Sequence, residues 1–131
     1  MEDYILREID KIGKVIEAIL FRIGILKKSN NDETLYETTK VELLERLDLD
    51  IDTLLENENF TDILIEKYGF SNNNLEKFAE LLYDFVNTSQ DQTERMKLVS
   101  CIGAIYKYLE KNEASLSLDR YYILKELEKY V

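Results

Sequence analysis

Apolar residues return every three or four positions along most of this chain, the spacing of one face of an α-helix. The first run is the longest. Placed at about 100° steps around an axis, Ile5, Ile9, Ile12, Val15, Ile16, Ile19, Leu20, Ile23 and Leu26 fall within an arc of about 140°. Arg7, Asp10, Lys11, Lys14, Glu17 and Arg22 fall opposite. The pattern predicts a helix over about 3–26 with a core-facing stripe. Phe21 and Ile25 depart from it, since both lie on the charged side. Lys27-Lys28-Ser29-Asn30-Asn31 ends the run: lysines suit the negative end of the helix, and Ser and Asn suit a loop.

The next stretch is acidic and broken into short pieces. A helix is predicted over 34–47 with Tyr36, Leu43, Leu44 and Leu47 on one face. Asp48-Leu49-Asp50-Ile51-Asp52 interrupts it, and Asp50 or Asp52 can cap a short helix through Glu56 by accepting backbone N–H bonds. Another short helix is predicted over 60–68, ending at Gly69, the usual residue past a helix C-terminus. The C-terminal part then carries three longer periodic runs. Leu75, Phe78, Ala79, Leu82 and Val86 align over 75–86. Val99, Ile102, Gly103, Tyr106 and Leu109 align over 93–111, widened by Leu98 and Ile105. Ile123, Leu124, Leu127 and Tyr130 align after Ser117. No alternation of period two argues for a strand. The expectation is an all-α single domain over 1–131, an irregular bundle of six or seven antiparallel helices without a sheet.

Composition points the same way. The chain has no proline and only four glycines, and these are the residues that punctuate turns and break helices. Its one cysteine, Cys101, can form no intrachain disulfide and reads as a small buried hydrophobe. The N-terminal segment carries Glu2, Asp3, Arg7 and Glu8, which does not suit a secretory signal, and a cytoplasmic setting is expected. The net charge of −10 is concentrated in the middle: residues 31–60 hold ten carboxylates against two cations. Such a surface repels phosphate backbones, so nucleic acid is not an expected partner.

The chemistry available is limited. Without histidine there is no imidazole base, acid or metal ligand, which removes the serine- and cysteine-histidine hydrolases and histidine-zinc sites. The glycines, at 13, 24, 69 and 103, form no phosphate loop. Asp48-x-Asp50-x-Asp52 resembles the start of a calcium loop, but its sixth position is Thr53 rather than Gly and its twelfth is Asn59 rather than Glu. No catalytic residue, cofactor or metal is expected.

Two arginines stand on apolar faces: Arg95 beside Val99 and Ile102, and Arg120 beside Ile123, Leu124 and Leu127. An inward guanidinium needs carboxylates or carbonyls for its planar fork. Arg95 and Arg120 are therefore candidates for a structural salt bridge, or for an anion or peptide-carboxylate site. Five of the nine tyrosines, at 106, 108, 121, 122 and 130, fall in the last hairpin. Tyr106 and Tyr130 fit the core; Tyr108, Tyr121 and Tyr122 join Phe21 and Ile25 as a candidate interaction surface, because tyrosine supplies contact area with a polar tip.

Val99 followed by Ile102-Gly103-x-x-Tyr106 is similar to the first helix of a tetratricopeptide repeat, where a small residue admits the neighbouring helix and an aromatic fills the next layer. More broadly, Asp3-Tyr4-Ile5-Leu6-Arg7-x-Ile9, Asn74-Leu75-Glu76-x-x-Ala79-Glu80-Leu81-Leu82-Tyr83 and Ser117-Leu118-Asp119-Arg120 resemble an uncharacterised family of small bacterial all-helical proteins. That resemblance implies a helical fold with tetratricopeptide-like hairpins and no established activity. The function expected is a protein-interaction module without enzymatic activity, self-association as a homo-oligomer being one form of it. The alternative is a peripheral membrane protein that lays its N-terminal amphipathic helix on the surface; the acidic middle makes membrane binding the weaker expectation.

Overall fold

A computed structural model describes the backbone of residues 2–28, 35–89, 91–112 and 117–130, and the side chains of 11–25 and of the later segments. Seven α-helices follow one another, with no strand among the described residues: α1 (Glu2–Lys28), α2 (Leu35–Leu47), α3 (Ile51–Leu55), α4 (Phe60–Glu66), α5 (Asn72–Thr88), α6 (Gln92–Asn112) and α7 (Leu118–Leu127). A single 3-10 turn, Glu128–Tyr130, continues α7.

Cap chemistry sets the boundaries. The Ser71 hydroxyl accepts the Asn74 N–H at the start of α5, and Ser117 does the same for Arg120 at the start of α7. Of the two aspartates able to cap α3, Asp50 does so: it accepts the Thr53 N–H and the Thr53 hydroxyl. Asp52 instead faces Lys40 of α2. α2 and α4 stop in the same way. Asp48 (φ 55°) and Gly69 (φ 72°) turn left-handed, and each returns its N–H to the carbonyl four residues back. The next residues, Leu49 and Phe70, drop into the core. The Tyr68 hydroxyl donates to the Asp48 carbonyl and holds the two stops together.

One cluster of buried side chains draws on all seven α-helices. α5 lies at its centre. Its Leu75, Phe78, Ala79, Leu81, Leu82, Phe85 and Val86 are all buried, packed on α6, α1 and α2. Phe60 of α4 stacks on Phe78, and Phe70 and Tyr36 meet Phe78 and Phe85 edge-on. α1 contributes Val15, Ile16, Ile19 and Ile23. The expected stripe members Ile5, Ile9 and Leu26, and the end of the helix at Ser29–Asn31, lie outside the described residues or side chains.

Two expected faces are corrected. α2 buries Leu35, Tyr36, Thr39 and Leu43, while Leu44 is exposed and Leu47 half-buried; the short acidic helix meets the core only along its Leu35–Leu43 edge. Gly103 admits no neighbouring helix, because a Cβ built there would meet nothing within 4 Å. The close approach lies at Gly13 instead. A Cβ there would stand 2.9 Å from Oδ1 of Asn74, at the start of α5, and Asn74 is buried and held by further contacts. Gly24, on the same helix, faces open space.

The two glycines of α1 should therefore respond with opposite sign. Gly13→Ala is expected to lose about 1–3 kcal/mol through forced displacement of α1 from α5. Gly24→Ala is expected to gain about 0.5–1 kcal/mol from helix propensity alone. Urea unfolding followed by circular dichroism measures both, and a gain at position 13 would contradict the close approach.

Candidate functional site

α7 is bound to the domain by one side and bare on the other. Its inward side carries Arg120 and Leu127, both buried, with Ile123 and Leu124 half-buried. The Arg120 side chain is 3% exposed, and its guanidinium grips Glu76 of α5 through Nε and Nη2, at 3.3 and 2.8 Å. Its flat face also lies 5.8 Å from the Tyr106 ring centre, a cation–π contact. The two arginines singled out in the sequence do not share a partner. Arg95 has no carboxylate among the described residues. It is half-buried, its guanidinium lies 5.3 Å from the ring centre of Tyr130, and its Nε has no hydrogen-bond partner there. The 3-10 turn that covers the start of α6 offers a ring face where a salt bridge was expected.

The outward side of α7 is apolar too. Leu118, Tyr121 and Tyr122, at the i, i+3 and i+4 spacing of one face, are 73%, 58% and 61% exposed. The two tyrosine rings meet edge-to-face at 5.6 Å, and Lys125 lies over Tyr121. On α1, Phe21 is 74% exposed, and Ile25 beyond it is also exposed. Tyr108, the remaining member of the expected surface, is half-buried against the core, so its ring serves packing. Sequence periodicity missed Leu118, Val41, Leu44 and Met96 as exposed apolar groups. The signal for Leu118 was its place one turn before the paired tyrosines.

Between α5 and α7 runs a cleft of about 300 Å³, lined by Glu80, Tyr83, Asp119, Tyr122, Ile123 and Glu126. Glu126 is tied to Lys129. No cation among the described residues forms an ion pair with Glu80 or Asp119. Burial holds the Glu80 carboxyl above the usual carboxylate range, and the charges of Asp119, Glu76 and Asp84 add to it against a smaller pull from Lys77. Several carboxylates elsewhere hold cations. Arg22 and Arg46 both bind Glu42 and lower its pKa. Lys40 bridges Glu37 and Asp52, and Lys97 pairs with Glu56. Cys101 is buried at the edge of a surface pocket that Leu55 and Phe60 also line, and desolvation pushes its thiol up to about 11.

Comparison with known protein families, curated proteins and solved structures finds no match to this chain.

Arg120→Ala is expected to cost about 3 kcal/mol, because Glu76 would keep its charge in a half-buried place with its main partner gone. Arg22→Ala should cost no more than about 1 kcal/mol, since Glu42 retains Arg46. Thermal unfolding of the two variants orders them, and equal small losses would place Arg120 in solvent.

Glu80 gives a pH signature. Its folded-state pKa is raised, so the folded chain holds that proton more tightly than the unfolded chain. The charge therefore costs stability above the folded pKa, and the cost disappears as pH falls through it. Glu80→Gln should raise the urea midpoint at pH 7, and the gain should vanish below about pH 4, where glutamate is protonated even in the unfolded chain. A gain independent of pH would show that charge is not its cause.

Proposed function

We propose that this chain is a helical protein-interaction module whose principal docking face is the outer side of α7. The observation that carries this reading is the Leu118–Tyr121–Tyr122 face. A helix apolar on both sides is normally covered on both, and nothing among the described residues covers this one. Exposed tyrosines and a leucine bordered by carboxylates and lysine have the composition of an interface core with a polar rim. Phe21 and Ile25 on α1, beside Lys14, form a second and smaller face on which self-association can act. The family resemblance of the sequence is compatible with this role and adds no activity to it.

Laying α1 on a membrane would need its aliphatic stripe, but Val15, Ile16, Ile19 and Ile23 are spent in the core. No described helix is long and apolar enough to cross a bilayer.

The test uses two double variants, Leu118→Glu with Tyr121→Glu and Phe21→Glu with Ile25→Glu. All four positions are exposed, so both should melt like the wild type. Light scattering reads self-association, affinity capture from the source cell reads partners, and co-sedimentation with anionic liposomes reads lipid binding. The α7 variant is expected to lose an association that the wild type makes. Identical behaviour of wild type and both variants, or substantial lipid-bound protein, would overturn the reading.

A further inference from the structure

We propose that the cleft between α5 and α7 receives a cationic side chain, lysine or arginine, presented by a protein partner. The inference rests on the interaction-module reading and names the chemistry of its docking face.

Shape and walls come first. At about 300 Å³ the cleft is a shallow depression open to solvent, with room for one long side chain lying along it. Tyr83 of α5 and Tyr122 of α7 line it, with Ile123. Aromatic faces attract ammonium and guanidinium groups through the ring quadrupole, and isoleucine packs against their methylene stems. The edge-to-face contact with Tyr121 limits the freedom of the Tyr122 ring, which lowers the entropy lost on binding.

Charge fixes the sign of the occupant. Glu80 and Asp119 line the cleft without an ion-pair partner among the described residues, while neighbouring Arg120 is committed to Glu76. In the more acidic α2–α3 region Glu37, Glu42, Asp52 and Glu56 hold cations, while Glu45 and Asp48 hold none among the described residues. What sets the α5–α7 cleft apart is that its unpaired carboxylates share their lining with two tyrosine rings and an isoleucine. Burial and like charges make the ionised Glu80 unfavourable where it stands. A cation seated between Glu80 and Asp119 would relieve that. The net charge of −10 would also steer a basic partner toward the chain.

A protein source is favoured over a free small cation because Tyr122 belongs both to the cleft and to the exposed Leu118–Tyr121–Tyr122 face. A partner that inserts a basic side chain meets that face with its flanking apolar residues.

The experiment is a nuclear magnetic resonance titration of the ¹⁵N-labelled full chain. The probe is Nα-acetyl-arginine methylamide, and Nα-acetyl-citrulline methylamide serves as its neutral counterpart of the same length. The arginine probe is expected to move the amides of Glu80, Tyr83, Asp119, Tyr122 and Ile123, and citrulline should bind at least about tenfold more weakly. Tyr122→Ala and Glu80→Gln should each weaken arginine binding at least about fivefold. Tyr122 is exposed and Glu80→Gln removes an unfavourable charge, so both variants should keep the wild-type circular dichroism. Shifts confined to residues 35–66 would mean attraction to bulk negative charge and would overturn the proposal. So would equal binding of citrulline, or wild-type affinity in both variants. Failure of the titration counts against the cleft alone. Unchanged association of the Leu118→Glu, Tyr121→Glu variant counts against the module reading alone.

Discussion

α5 presents apolar side chains over an arc of about 160°, from Leu81 and Phe85 round to Ala79 and Val86, and no single neighbouring helix can cover that arc. α6 takes the largest share, α1 another, and α2 and α4 fill the remainder with Tyr36 and Phe60. Covering α5 dictates the positions of the other elements. α1 must approach closely enough that only a glycine fits opposite Asn74. The acidic segment must break into short helices so that Leu49, Phe60 and Phe70 can turn inward. The polar strip of α5, with Glu76, Glu80 and Tyr83, is left for α7, which packs on α6 and reaches across to that strip through Arg120.

That division explains where charge accumulates. Ion pairs follow the seams between helices: Arg22 with Glu42 joins α1 to α2, Lys77 with Glu17 joins α5 to α1, and Lys97 on α6 meets Glu56 beside α3. Each such surface pair contributes little to stability, about 0–1 kcal/mol. Together they consume cations near the seams. Along the α5–α7 seam one cation, Arg120, is drawn inward to Glu76. The half-buried Glu80 and the exposed Asp119 are left without a cation among the described residues, beside two tyrosine rings.

Much of the helical architecture was legible in the sequence, because periodicity reports burial wherever a helix has one wet side and one dry side. Val15, Ile16, Ile19 and Ile23 on α1 and Leu75, Phe78, Ala79, Leu82 and Val86 on α5 follow that logic. It fails where a helix touches the core along a narrow edge, as α2 does, so that Leu44 repeats with Leu43 and yet stays outside. It fails again for α7, which is apolar on both sides: Ile123, Leu124 and Leu127 gave the inward face, while Leu118 remained unassigned. Local sequence could mark Arg120 as inward but not supply its partner, which lies 44 residues earlier. Nor could it separate Arg120 from Arg95, since the carboxylate that meets one and the tyrosine ring that meets the other both lie far away in the chain. The cleft at Glu80 and Asp119 is a property of two helices side by side, and neither helix shows it alone.

The sole thiol of the chain occupies an informative place. Cys101 projects from the middle of α6 into the lining of a surface pocket that it shares with Leu55 of α3 and Phe60 of α4, and burial keeps it protonated at neutral pH. A protonated thiol with little exposed surface reacts slowly with alkylating reagents. Its labelling rate in the folded chain is thus a built-in reporter of how tightly α3 and α4 pack on α6. No probe needs to be introduced, and the chain has no second cysteine to confuse the count.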